Sequence, residues 1–540
     1  MSPIRNPILP GFNPDPSIVR VGADFYIATS TFEWFPGVQI HHSRDLVNWR
    51  LASRPLVRPE QLDMRGDPDS CGIWAPDLTH AHGRFWLVYT DVKRYGTTTV
   101  DGATGVSLRD FRNYVVTCDT VDGEWSDPVF LNGSGFDPAL FHDDDGRTWL
   151  INMLWDHRPG RGRFAGIVAQ AYDRAAERLV GEPCNIFPGT DRGFTEAPHL
   201  YKRDGWYHLL VAEGGTGWNH AAVMARSRNL LGPYEVHPDG AVLTSNGRRA
   251  GAMTRAGHGD LVHLEDGTPW MAYLCGRPVG ASERCILGRE TAIQPMAWGE
   301  DGWLRTVAGD AEPDPAPPAP LPLAPWDAAE WDGGFDGPDL PQPLQWLRSP
   351  YPGRLLSLTE RPGFLRLYGR DTVGSLFEQA LVARRQTDFA YRAETRVEFE
   401  PRDFQAAAGL ICYYNSTKFH YLHLSRDGDA RVLQRMTASP ESGTIEMIVL
   451  GELPAGPIEL AVEVEGVTLR FFWRADGGEW QAAGEPLDAS ILSDEATLPG
   501  LPNFTGTFVG MACQDTSGRG TPADFAWFRY AGRGRGKTGD

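Results

Sequence analysis

Phe12-Asn13-Pro14-Asp15-Pro16-Ser17 holds an aspartate between two prolines. Each proline ring fixes its own φ at about −65° and steers the residue before it away from helix. A carboxylate on such stiff, extended backbone points one way, although a single copy of the stretch reads first as a surface turn. Here the pattern recurs. Asp15 leads Ile18, a turn glycine at Gly22 and the run Phe25-Tyr26-Ile27. Asp77 leads Leu78, Gly83 and Phe85-Trp86-Leu87-Val88-Tyr89, and Asp137 leads Leu140, Gly146 and Trp149-Leu150-Ile151. Glu196 leads Leu200, Gly205 and Trp206-Tyr207, and Asp260 leads Leu261, Gly267 and Trp270-Met271-Ala272-Tyr273. The steps between the five acids are 62, 60, 59 and 64 residues.

Apolar-aromatic runs separated by Gly/Asp turns are hairpin signals. Self-similarity at a fixed period marks a repeat architecture, and this period suits a four-stranded blade with long loops. Residues 1–308 are therefore predicted to form a five-bladed β-propeller. If each acid opens the innermost strand of its blade, all five approach the central axis. Carboxylates do not gather in a dry core without partners, so the expectation is a wet pocket, a metal site or both. The alternative for any one acid is that it only satisfies a turn.

The chain has 540 residues, more than one core needs. Ala311-Glu312-Pro313-Asp314-Pro315-Ala316-Pro317-Pro318-Ala319-Pro320 reads as a semi-rigid, polyproline-like connector over 309–325. Beyond it the repeat stops. Alternating runs at 389–399, 409–414, 420–424, 458–464 and 469–473 predict an antiparallel β-sandwich over 326–540. The whole chain is predicted all-β. A net charge of −19 argues against nucleic-acid and anionic-membrane partners, which need a basic footprint. No apolar run approaches the length of a membrane helix. Seven scattered cysteines without metal spacing, and no apolar leader at the start, point to reduced thiols and a cytoplasmic location.

Two carboxyl groups across a pocket suit glycosidic bond hydrolysis, one delivering a proton to the leaving oxygen and the other acting as base or nucleophile. Glu196 is the one glutamate among the five acids, with a longer arm and the apolar neighbours Phe194, Ala197 and Pro198 to favour its neutral form. That makes it the candidate acid, Asp15 the candidate base, and Asp137 a third carboxyl able to hold Glu196 protonated.

Taken jointly, Asn13-Pro14-Asp15-Pro16-Ser17, Trp74-Ala75-Pro76-Asp77, Gly135-Phe136-Asp137-Pro138, Thr195-Glu196-Ala197-Pro198 and Gly288-Arg289-Glu290-Thr291 resemble glycoside hydrolase family 43. Within that family the likeness is to the two-domain β-xylosidases and runs from about residue 6 to about residue 530. The resemblance implies an inverting hydrolase, with Asp15 as general base, Glu196 as general acid and Asp137 as the modulator that orients it. Inversion asks for carboxyl groups roughly 6.5–9.5 Å apart, with room for a water.

The resemblance also implies Phe32, Trp74 and Trp155 as pocket walls, with blade packing as the alternative for each. Arg289 is implied as a donor to sugar hydroxyls, or else as the partner of a nearby acid. A second-domain loop, Asn503-Phe504-Thr505-Gly506-Thr507-Phe508, is implied to close the pocket through Phe508 or Phe504, with the sandwich core as the alternative. His258 lies at the fifth unit, where relatives hold a calcium or a water; no cofactor is required for the chemistry itself. The expected activity is release of D-xylose from the non-reducing end of β-1,4-xylo-oligosaccharides, by a homo-oligomer (dimer or tetramer). α-L-Arabinofuranosidase activity is the nearest alternative. A non-catalytic sugar-binding propeller is disfavoured by the intact acids, and a protein-binding propeller by the long repeat.

Overall fold

The computed structural model describes residues 3–95, 109–158, 160–251, 253–327, 331–497 and 503–533. Those residues are strands and turns throughout, apart from two short 3-10 turns at Pro352–Arg354 and Ala489–Ile491. The first three hundred residues fold into five antiparallel sheets of four strands, each a meander in chain order. Their innermost strands are Ser17–Val21, Gly72–Ala81, Ala139–His142, Glu196–Arg203 and Thr254–His263, and they neighbour one another in a closed ring. These are the blades, I to V, of a five-bladed propeller.

One backbone feature marks the same point in every blade. Asp15, Ala75, Asp137, Ala197 and His258 all have positive φ, between 31° and 55°. Each is followed by proline or glycine, and two residues further on come Ser17, Asp77, Ala139, His199 and Asp260. The steps between the positive-φ positions are 60, 62, 60 and 61 residues, tighter than the steps between the acids. The five acids therefore do not occupy equivalent positions, which corrects the expectation that each opens the innermost strand of its blade: Asp77 and Asp260 lie inside theirs. Asp15 and Asp137 lie on the kink, Glu196 one residue before it, and Asp77 and Asp260 two residues after it.

The residues after the kink close the ring. Ser17 Oγ accepts the Leu78 N–H at 3.0 Å, joining blades I and II. Asp77 Oδ2 accepts the Leu140 N–H at 2.9 Å, joining II and III. Blade III has Ala139 at this position and no acceptor there, so Asp137 Oδ2 accepts the Ala197 N–H at 3.0 Å instead. The Tyr201 hydroxyl accepts the Leu261 N–H at 2.9 Å, joining IV and V, and Asp260 Oδ2 accepts the Ile18 N–H at 2.7 Å, joining V back to I. Each junction thus pairs a buried N–H that would be costly to leave unmade.

The described residues among 333–533 form the sandwich of two large antiparallel sheets. Ala390–Glu398 shows the expected period of two, with Tyr391, Ala393, Thr395 and Val397 buried and their neighbours half-buried. The two domains share a sheet. Trp34–Phe35, from the propeller, pairs with Gln345–Leu347 and forms the edge strand of the first sandwich sheet. The proline-rich connector is bonded along its length: Ile4 N–H donates to Pro317 O and Asn6 N–H to Pro315 O, at 2.8 and 3.2 Å. It straps the amino-terminal segment onto blade V, where Asn6 also exchanges hydrogen bonds with the backbone of Ile293.

Candidate active site

Three of the acids, Asp15, Asp137 and Glu196, line one cavity of about 210 Å³ at the mouth of the ring. The positive-φ kink places them there, since such backbone is costly for non-glycine residues and is held by the packing around it. Asp15 accepts hydrogen bonds from Ser30 Oγ at 2.7 Å and from Arg289 Nη1 at 3.0 Å. Asp137 accepts the Ala197 N–H already described. Among the described residues, no hydrogen-bond donor is seen on the Glu196 carboxyl, which faces the cavity.

Burial pushes Glu196 up to about 8, with repulsion from Asp15 adding to the rise and Arg289 opposing it. Asp137 is raised too, by burial first and then by Glu196 and Asp15, while the Ala197 N–H and His199 work the other way. Two buried carboxyls in one cavity cannot both ionise cheaply, so the pair keeps a proton near neutral pH. Burial raises both carboxyls; one hydrogen-bond donor, the Ala197 N–H, favours charge on Asp137, and none is seen on Glu196 among the described residues, so hydrogen bonding favours Glu196 as the holder of that proton.

Aromatic rings wall the cavity. Phe32 and Trp74 face it as expected, joined by Tyr95, Phe136 and Phe164, which sequence reasoning did not single out. Trp155 does not reach the cavity. It packs one layer behind, 6.3 Å from Phe136 and 5.5 Å from Phe164 between ring centroids. Phe194 was expected to shield Glu196, but it is 55% exposed at the cavity's rim, against Phe164.

The second domain closes one side through Phe504, whose ring lies 5.5 Å from Trp74 and 5.9 Å from Tyr95. Its backbone is tied to the propeller at both ends: the N–H donates to Ser70 Oγ at 3.1 Å, and Arg289 Nη2 donates to its carbonyl at 2.7 Å. Phe508 is excluded from the cavity. It is fully buried in the strand Phe508–Asp515 and stacks on Trp34 at 3.7 Å. Arg289 serves as partner of an acid and as a bridge between domains.

His258 also lines the cavity, with Nδ1 3.6 Å from Asp15 Oδ1, and burial holds its pKa down to about 3 against the pull of Asp15, so the ring is neutral. Below it, Asp77, His199 and Asp260 bring their polar atoms within 4.8 Å of one another. Calcium takes six to eight oxygens, and every carboxylate oxygen of this cluster already faces a donor. Asp77 Oδ1 and Oδ2 face Ser17 Oγ and Leu140 N. Asp260 Oδ1 faces Tyr201 OH and Leu261 N, and Oδ2 faces Ser17 Oγ and Ile18 N. These bonds leave few lone pairs for a cation that wants six to eight oxygens, so the cluster is a poor match for calcium.

Comparison with known proteins agrees with this architecture. The family model described as glycosyl hydrolases family 43 matches residues 4–304, and that of the β-xylosidase carboxy-terminal concanavalin A-like domain matches residues 333–531. The xylosidase/arabinosidase 43B of Humicola insolens is 51% identical, over 98% of each chain. A β-xylosidase of Bacillus subtilis is 46% identical, over 98% of this chain and 99% of that one. Among solved structures, a xylan β-1,4-xylosidase from Bacillus halodurans superposes with a TM-score of 0.93 at 48% identity, covering 98% of this chain and all of its own.

Proposed function

This chain belongs to glycosyl hydrolase family 43, and we propose that it is an exo-acting, inverting β-xylosidase that frees D-xylose from the non-reducing end of β-1,4-xylo-oligosaccharides. The observation that carries the proposal is the small aromatic cavity, walled on one side by Phe504 from the second domain, with three carboxyls on its surface. Such a site admits the end of a chain.

In this reading Glu196 holds its proton at neutral pH and delivers it to the glycosidic oxygen as the bond to the anomeric carbon breaks. Asp15, oriented by Ser30 and Arg289, takes a proton from the water that attacks the opposite face of the sugar. Asp137 keeps Glu196 protonated through like charge and fixes the backbone next to it by accepting the Ala197 N–H. Phe32, Trp74 and Phe504 pack against the sugar ring.

α-L-Arabinofuranosidase activity is the second reading, favoured by the name of the Humicola relative. Side-by-side rates on aryl β-D-xylopyranoside, aryl α-L-arabinofuranoside and xylobiose test both. Fast turnover of the xylosides supports the proposal, faster turnover of the arabinofuranoside transfers it to the second reading, and no turnover on any of the three rejects it. The proposal includes a cytoplasmic role in xylan breakdown on imported oligosaccharides, supported by seven free cysteines, and assembly as a homo-oligomer. No helix among the described residues is long and apolar enough to cross a membrane.

A further inference from the structure

We infer that His199 is the resident cation of the propeller axis, a positioning residue that bridges Asp77 and Asp260 and steadies the Asp137–Glu196 pair from beneath. Its kinetic consequence rests on the reading of Glu196 as general acid; its structural content does not.

The axis layer holds two carboxylates that are only 4% and 5% exposed. Buried anions are costly without a counter-charge. The side-chain hydroxyls that reach them, from Ser17 and Tyr201, are neutral. Among the described residues, the ion pairs made by Asp77 and Asp260 are those with His199, whose Nδ1 lies 3.4 Å from the first and 3.7 Å from the second. Of the five ring positions, Ser17, Asp77, Ala139, His199 and Asp260, one carries a side chain able to be positive.

Every blade contributes to the surroundings of this imidazole. Blade I supplies Ser17, blade II Asp77, blade III Asp137, its own strand Tyr201, and blade V Asp260 and the neutral His258. Burial alone would lower the His199 pKa, but Asp260 and Asp77, with help from Asp137, outweigh it and carry the ring up to about 9. The same charge favours ionised Asp137. Because donors already surround the carboxylate oxygens, the chain balances its own axis and no divalent cation is needed there.

Neutron diffraction from crystals of the wild-type protein grown near pH 7 is the direct test. Deuterium on both ring nitrogens of His199 is expected; a ring deuterated at one nitrogen overturns the inference. This result stands apart from any substrate, so failure of the xylosidase reading leaves it intact. The kinetic arm uses His199→Gln and His199→Lys. The glutamine variant is expected to lose about tenfold in kcat with KM little changed. Its alkaline limb moves down by about one pH unit, because Asp137 gains a proton when the positive charge is removed and no longer repels charge on Glu196. The lysine variant is expected to keep the wild-type limb. A folded glutamine variant with an unmoved limb overturns the coupling to Glu196. Chelation with EDTA is expected to leave activity and melting temperature unchanged; loss of either, restored by calcium, also overturns the inference.

Discussion

The pocket layer and the axis layer of this propeller are built from the same residue types two residues apart, and they do opposite things. Asp15, Asp137 and Glu196 are 5–7% exposed, and Asp77 and Asp260 are 4% and 5% exposed, so burial does not separate them. Hydrogen bonding sets Glu196 apart, since Asp15 and Asp137 have donors of their own. On the axis every carboxylate oxygen faces a donor and the charge is shared with His199. In the pocket, Glu196 is left without a donor and its pKa rises to about 8. A satisfied carboxylate holds blades together, whereas an unsatisfied one keeps a proton available for transfer.

The largest expected effect is on the pocket side of that contrast. Glu196→Ala should lower kcat on xylobiose by about a thousandfold, the scale of a lost general acid, with little change in melting temperature. On the axis side, Asp77→Asn should do the reverse. Removing one member of a buried ion pair costs about 3 kcal/mol or more, read from denaturant unfolding, with a smaller loss of kcat. Equal effects of the two substitutions on both readouts would collapse the contrast.

The next effect separates two phenylalanines of one loop. Phe504→Ala should lower kcat/KM about tenfold by opening the sugar pocket. Phe508→Ala should instead cost about 3 kcal/mol of stability through a cavity beside Trp34. The pH profile sharpens the contrast further. Glu196 works in its protonated form, so kcat should fall as pH rises through about 8. The smallest change is Tyr201→Phe, which removes the acceptor for the Leu261 N–H and one donor to Asp260. About 1 kcal/mol of stability should go, with activity per folded molecule unchanged.

Blade number and the all-β sandwich were readable in the sequence because aromatic runs and turn glycines recur at the blade period. The phase of the acids was misread because carboxylates were aligned with carboxylates. The structural frame runs through Asp15, Ala75, Asp137, Ala197 and His258, which share a backbone conformation and no residue type. A usable signal was present in Pro16, Pro76, Pro138 and Pro198, each followed two residues later by Ile18, Leu78, Leu140 or Leu200. Trp155 and Phe508 were harder. Each is buried by partners distant in the chain, Tyr95 and Phe111 for the first and Trp34 for the second, and no local pattern encodes such contacts. Phe504 differs from Phe508 in lying just before the strand, where the Ser70 hydroxyl and Arg289 hold its backbone against the propeller.

In the proposed reaction Glu196 is the acid of an inverting displacement. Wild-type protein and Glu196→Ala, mixed with aryl β-D-xylopyranoside and followed by proton NMR, test it most directly. α-Xylose is expected to appear first with wild type, before mutarotation, and to be lost in the variant. β-Xylose as the first product, or full activity without Glu196, would contradict it.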